Sequence, residues 1–326
     1  MKQAFITGAN GFLGLNIAEQ LVAGGWGVVG LCQPDTAQTF LKRLPVTIVE
    51  GDITDEMALT AIMPETVDAV FHTAAMTSLW SRRNSLQTRV NVEGTRNVAR
   101  ASLAKRARRL IHTSTWNVYG IGLGQISEAS PQAGGRSWIN YVRTKFLAEE
   151  EVRALSGAGL DAVILNPGHL VGRYDTRNWG RMIRMVHQGT LPGIPRARGS
   201  FCHAAAVARA HIAAAECGRS GENYLIPGVE ATFLEVIDLI GQLTGRAVPS
   251  RTLPTWLLKI AARAKTLRAA FTGQEPDLTP EGVELLSNDP KIVSNKARQE
   301  LGYEPAPLRT MFEDAYAWMV AEGLLS

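Results

Sequence analysis

Tyr141 opens and Lys145 closes the run Tyr141-Val142-Arg143-Thr144-Lys145. On a helix, residues four apart share a face, so the phenol and the ammonium would lie side by side. A free tyrosine titrates at about 10 and is a poor base at neutral pH. A neighbouring ammonium stabilises the phenolate and lowers that value, which prepares the tyrosine for proton transfer. Thr115, closing Thr113-Ser114-Thr115, offers a hydroxyl that could hydrogen bond a substrate oxygen. Proton transfer at an oxygen is the chemistry these side chains suit. The pair alone is weak, because tyrosine and lysine meet at this spacing by chance.

Its companion is the stretch Thr7-Gly8-Ala9-Asn10-Gly11-Phe12-Leu13-Gly14. The apolar run Ala4-Phe5-Ile6 precedes it and an amphipathic run, Leu15 to Val22, follows. Strand, glycine turn and helix in this order are the context in which such a turn binds phosphate. Gly8 would allow the tight turn, Gly11 a close approach of the backbone to a pyrophosphate, and Gly14 close packing of helix on strand. The helix N-terminus would face the anion with its free N–H groups and dipole. The spacing is G-x-x-G-x-x-G, not the commoner G-x-G-x-x-G. A nicotinamide dinucleotide held here would exchange hydride opposite the Tyr141 proton.

The elements that must position these groups alternate. Gly27 to Cys32 reads as a second strand, Val46 to Glu50 as a third, Ala69 to Phe71 as a fourth and Arg109 to His112 as a fifth. A helical run from Ser85 to Lys105 precedes the fifth. This alternation predicts an α/β fold with a doubly wound parallel sheet. At the end of the second strand an acid suits the 2′-hydroxyl of NAD and a base suits the 2′-phosphate of NADP. Cys32 or Gln33 stands here and is neither, and Asp35 follows a proline, although it could still reach the ribose. Lys42 and Arg43 could fold back onto a phosphate, so NADP or NAD fits, with a slight tilt to NADP. Asp52 could accept from an adenine amino group with Ile53 against the ring, while Asp55 suits a helix N-cap. Thr73, Ala74 and Ala75 leave room for a cofactor, and His72 reads as a packed histidine. Asn91 inside a helix is unfavourable unless its amide has work to do.

In order, Thr7 to Gly14, Gly51 to Asp55, His72 to Ala75, Asn91 to Thr95, Thr113 to Gly120 and Tyr141 to Lys145 resemble the extended short-chain dehydrogenases/reductases of the NAD-dependent epimerase/dehydratase superfamily. The whole is most similar to the dihydroflavonol reductase and 3β-hydroxysteroid dehydrogenase branch. The resemblance implies a Rossmann domain over 1–167, with 201–221 returning to it, and a smaller substrate-binding cap from 168–326. It implies Tyr141 as the acid/base, Lys145 as its pKa partner and ribose ligand, and Asn91 as a support of the site. It also implies Thr115 as the hydroxyl that orients the substrate oxygen, since it stands three residues before Val118-Tyr119-Gly120 as the family's catalytic Ser or Thr does. Pro167, in Asn166-Pro167-Gly168, would lie near the nicotinamide. Cofactor contacts would come from Thr7, Gly8, Asn10, Gly11, Phe12, Leu13, Gly14, Gln33, Asp52, Ile53, Thr73, Ala74 and Ala75, together with Tyr141, Lys145 and Pro167. A homodimer through the helices bearing Asn91 and Tyr141 is common in the family. One departure is clear: Ala205 and Ala206 stand where the family usually carries an Asp-Asp pair.

Three functions fit such a chain: a carbonyl reductase or dehydrogenase, a nucleotide-sugar epimerase with tightly held NAD, and a dinucleotide sensor. An intact Thr115, Tyr141 and Lys145 disfavour the sensor. Epimerases usually carry an acid at the second strand end and often an arginine just before the segment matching Phe201-Cys202-His203. Here Gly199 and Ser200 precede that segment, although Arg196 and Arg198 are close. Trp80, Trp116 and Trp138, in loops expected beside the nicotinamide, would suit an apolar or aromatic substrate. These features favour a reductase.

Composition bounds the rest. The chain has 326 residues, 45% apolar and 20% charged, with a net charge of +4. No aromatic-basic platform accompanies the charge, which argues against nucleic acid. Cys32, Cys202 and Cys217 are scattered without metal-ligand spacing, and no metal is expected; reduced thiols suit a cytoplasmic protein. No apolar run is long enough for a bilayer span or signal peptide. Trp256 to Phe271 is amphipathic, with Trp256, Leu257, Ile260, Ala264, Leu267 and Phe271 on one face. A lid or packed cap helix is the plain reading, and a membrane-surface helix the alternative.

Overall fold

A computed structural model describes residues 1–122, 124–288 and 291–325. The first half runs β1 (Gln3–Thr7), α1 (Phe12–Ala23), β2 (Gly27–Cys32), β3 (Thr47–Glu50), α2 (Glu56–Ile62), β4 (Ala69–His72), α3 (Asn84–Thr88), α4 (Gly94–Ala104), β5 (Leu110–Thr113), β6 (Gln125–Ile126) and α5 (Asn140–Ser156). It continues with β7 (Ala162–Pro167), β8 (His169–Val171), α6 (Trp179–His187), β9 (Ile194–Pro195), β10 (Arg198–His203), α7 (Ala204–Cys217), β11 (Asn223–Ile226), β12 (Val229–Thr232) and α8 (Phe233–Thr244). The chain then forms β13 (Thr252–Leu253), α9 (Thr255–Thr272), α10 (Pro280–Leu286), β14 (Lys291–Ile292), α11 (Lys296–Leu301) and α12 (Leu308–Ala321).

Seven strands form a parallel sheet in the order β11-β7-β5-β4-β1-β2-β3. β4 and β7 are buried along their whole length, as strands covered by helices on both faces must be. One face packs against α1 and α7 through residues such as Leu21, Val207 and Ala214. The other packs against α2 and α4 through Leu59, Val98 and Ala101. The strand order reverses between β1 and β4, so the glycine turn after β1 opens at the switch point, where ligands bind in such sheets. A second layer, β12-β10-β8 with α6, α8 and α12, has its own core of Trp179, Phe201, Phe233, Phe312 and neighbours.

Two sequence expectations change here. The return to the main sheet does not stop at residue 221: β11 pairs with β7 as its edge strand, and α11 packs on α7 and β11. The run Ser85 to Lys105 is not one regular helix either. A π-helical turn, Arg89–Glu93, separates α3 from α4 and contains Asn91. The widened turn is the physical mark of an inserted residue in the helical ladder, and such turns concentrate at functional sites.

Candidate active site

The glycine turn is shaped by contacts that only glycine satisfies. Gly8 has φ +68°, and a Cβ there would stand 2.9 Å from the backbone of Ala74. A Cβ on Gly14 would lie 2.2 Å from the Gly8 carbonyl oxygen, so the turn folds directly onto the first turn of α1. Gly11 is the N-cap; no side chain caps the helix, and its first turn holds no acid. The N–H groups there remain available to an anion. Asn10 donates to Thr36 Oγ1 (2.9 Å) and to the Ala37 carbonyl (3.0 Å), tying the turn to the loop after β2. Thr7 and Thr73 join β1 to β4: the Thr73 hydroxyl donates to the Thr7 carbonyl at 2.8 Å. Ala74 follows, its N–H 3.4 Å from Thr7 Oγ1.

Gln33 lies exposed just beyond β2, and the Thr36 hydroxyl donates to its carbonyl. Asp35 adopts φ 60°, a turn conformation. Of the two cations expected to reach a phosphate, Arg43 is taken at 2.6 Å by Glu322, the C-cap of α12, while Lys42 is exposed. Asp52 accepts the Thr54 N–H on one oxygen, Asp55 caps α2 through the Ala58 N–H, and the Ile53 carbonyl accepts from Asn97.

His72 is a structural histidine. Thr95 Oγ1 donates to the Asn91 carbonyl (2.6 Å), so His72 Nε2–H donates to Thr95 and Nδ1 accepts from the Thr7 hydroxyl at 2.7 Å. Burial lowers its pKa to about 3, with the Lys145 charge adding to the effect. It stays neutral and holds β4 to the π turn.

α5 delivers the reacting side chains. Lys145 is buried, and its Nζ donates to the Thr113 carbonyl at 2.6 Å. Burial pulls its pKa down to about 8, opposed by the Glu149 carboxylate one turn along. The expected lowering of the Tyr141 pKa is not what the structure shows: burial pushes it up to about 12, and only its hydrogen bond with Thr115 opposes this. The ammonium is engaged with Thr113, and desolvation of the phenolate dominates. Thr115 Oγ1 accepts from Asn117, which leaves its proton to donate. The neighbouring Ser114 Oγ is buried without a polar partner among the described residues.

Among the described residues Asn91 makes no hydrogen bond to any of these three side chains. Its Oδ1 accepts the Met76 N–H (2.7 Å), and its Nδ2 donates to the Met76 carbonyl and to Thr144 Oγ1 (3.1 Å). It therefore positions the loop after β4 against α5. Pro167 ends β7 beside Asn166.

A buried polar network lies behind the pair, and sequence reasoning missed it. The Glu149 carboxylate, with no exposed side-chain surface, accepts from Asn166 (2.6 Å), Arg153 (2.6 Å), Gln132 (2.8 Å) and Asn223 (2.9 Å). Asn166 also donates to the Thr115 carbonyl at 3.1 Å. The only sequence cue was Glu149 four residues after Lys145; most helix acids at such spacing face water. The end of β5 is fixed from its other side too: His211 Nδ1–H donates to Val207 O, so its Nε2 accepts from the Thr113 hydroxyl at 2.9 Å.

The three tryptophans do not form one wall. Trp116 is packed in a core with Val118, Tyr119, Ile126 and Leu225, and Trp80 is buried beneath Arg82. Trp138 is 57% exposed, three residues before Tyr141. Where the family's Asp-Asp pair would stand, Ala205 and Ala206 continue α7. An acid reaches this corner from α12 instead: Asp314 pairs with Arg173 (3.0 Å) and His203 (3.2 Å).

The family model described as NAD dependent epimerase/dehydratase family matches residues 4–226. The chain is 29% identical over 325 residues to the sterol demethylase protein B of Methylococcus capsulatus, covering 98% of this chain and 99% of that one. It is 27% identical over 327 residues to a putative dihydroflavonol 4-reductase of Synechocystis, covering 98% and 95%. Among solved structures, that of gox2253 superposes with a TM-score of 0.85 at 29% identity over the full length of both chains.

Proposed function

The chain belongs to the NAD-dependent epimerase/dehydratase family, and from that premise we propose that it is a reductase of the extended short-chain type. Its substrate is a carbonyl compound of small, apolar or aromatic character, or the corresponding alcohol in reverse. The observation that supports this reading is the hydrogen bond between Tyr141 and Thr115, with Lys145 held on the Thr113 carbonyl two residues away, at the carboxyl edge of the same sheet whose switch point carries the glycine turn. The bound dinucleotide would supply the hydride.

The chain's own groups handle the oxygen. With its pKa pushed up to about 12, Tyr141 stands protonated at neutral pH and suits the acid of the reductive direction. Thr115 donates a hydrogen bond to the same carbonyl oxygen. Lys145 keeps a positive charge near the phenolate left behind, held in place by Thr113. The Gly8–Gly14 turn and the uncapped N-terminus of α1 would take the pyrophosphate, and Asp52 and Ile53 the adenine. NADP is the proposed form, resting on Lys42 alone now that Glu322 engages Arg43.

A diphosphate-binding arginine would not fit where nucleotide-sugar enzymes often place one. A Cβ on Gly199 would stand 2.6 Å from the His169 ring, and Ser200 is buried with its Oγ accepting the Gly228 N–H. Trp138, exposed and three residues before Tyr141 in the chain, favours an apolar substrate. We also propose a homodimer through the helical runs bearing Asn91 and Tyr141, that is, the π turn with α4, and α5, on which Leu103 and Leu147 lie exposed.

The test is to denature freshly purified protein, assay the supernatant for dinucleotide, titrate the native protein with NADPH and NADH, and screen ketones and aldehydes. An empty site that binds and exchanges NADPH and reduces a ketone is expected. NAD that survives purification and does not exchange would overturn the reductase in favour of an epimerase.

A further inference from the structure

α9 carries its apolar face outward. Its inward side is made of small or half-buried residues, Leu258, Ala262, Thr266 and Ala269. Trp256, Ile260, Leu267 and Phe271, spaced to share the opposite face, are 61%, 57%, 64% and 85% exposed. The packed-helix expectation is thus inverted. Soluble surfaces rarely show four such side chains in one stripe unless something covers them.

The charges say what that is. α9 contains Lys259, Arg263, Lys265 and Arg268 and no acid. The acids nearby are used on the lysines: Glu284 meets Lys259 at 3.6 Å and Asp277 meets Lys265 at 2.8 Å. Arg263 and Arg268, one on each flank of the apolar stripe, are exposed and have no ion pair among the described residues. We propose that α9 docks the protein on an anionic lipid bilayer, lying in the interface plane with the stripe in the acyl boundary and the arginines on lipid phosphates. A second copy of this face is a poor occupant, because a two-fold contact would set arginine against arginine.

The docking face is anchored near the candidate site. Just beyond α9, Glu275 accepts from Ser78 Oγ (2.5 Å) and pairs with Arg83 (3.4 Å), on the loop whose start Asn91 holds. If the proposed reductase acts on an apolar carbonyl, a membrane-dissolved substrate would arrive on this side. That consequence rests on the proposed function; the docking does not.

The experiment is co-sedimentation of the full chain with vesicles of equal parts phosphatidylcholine and phosphatidylglycerol, and with phosphatidylcholine alone. Binding to the mixed vesicles is expected, weakened at least about tenfold by Arg263→Glu with Arg268→Glu and similarly by Ile260→Ser with Phe271→Ser. Circular dichroism and NADPH titration should be unchanged in both variants, which separates lost docking from lost folding. Failure of the wild-type protein to bind anionic vesicles, or variants that bind equally well, would overturn the proposal. So would a dimer in sedimentation velocity that the Ile260→Ser and Phe271→Ser variant dissolves.

Discussion

α5 and α9 are similar in length, 17 and 18 residues, yet they sort their side chains in opposite ways. α5 buries Asn140, Thr144, Lys145 and Glu149, polar or charged residues that normally face water. α9 buries two alanines and leaves Trp256, Ile260, Leu267 and Phe271 outside. Each inversion has its own physical condition. A buried charge persists only where partners replace its water, and Glu149 has four while Lys145 has the Thr113 carbonyl. An exposed apolar stripe costs little in the folded chain itself, but it is a surface awaiting a partner. One helix therefore marks where chemistry is held rigid, and the other where the molecule meets something else.

The comparison breaks most sharply at Tyr141. Replacing it with Phe should lower kcat by about a thousandfold on whichever ketone the screen returns, with NADPH affinity changed only a few fold. A variant with near-normal turnover would remove the acid/base assignment.

Lys145 gives the next largest effect, read as stability against pH. Its folded pKa of about 8 lies below the unfolded value of 10.5, so between these the unfolded chain binds the extra proton and stability rises with pH. Relative to Lys145→Met, the wild-type protein should gain at most about 3 kcal/mol across that window. The gain should be absent below pH 8, where both states are charged. Urea melts of both proteins between pH 7 and 10 would measure it, and parallel curves would show that Lys145 is not desolvated.

Glu149→Gln should sharpen the picture from the other side of the network. It leaves Arg153 and the amides of Asn166 and Asn223 without their carboxylate. Arg153 keeps 33% of its side chain in water, so the loss belongs at the low end for a broken buried pair, about 2–3 kcal/mol in urea unfolding. The Lys145 window should also move to lower pH, since the charge that raises its pKa is gone.

The smallest effect belongs to α9. Phe271→Ser should change stability by less than about 0.5 kcal/mol, because that ring is 85% exposed. A loss of several kcal/mol would mean that the stripe packs inside the protein and that the two helices do not differ.

What could be read from the sequence was what neighbouring residues decide among themselves. The glycine turn, the alternation of strands and helices, the Asp55 cap and the Tyr141–Lys145 spacing are local: each follows from backbone freedom, periodicity or a four-residue helical step. The partners were not local. Asn223 lies 74 residues and Asn166 17 residues from the carboxylate they share, and Arg43 is drawn away from a phosphate by Glu322, 279 residues on. Trp116 went into a core because β11 and β14 arrive to cover it. The direction of the Tyr141 pKa also depended on packing, since helical spacing places an ammonium nearby but does not say how much water remains. For α9, periodicity alone shows that one face is apolar. Whether that face is covered depends on what the rest of the chain brings to it, and here the chain covers the alanines instead.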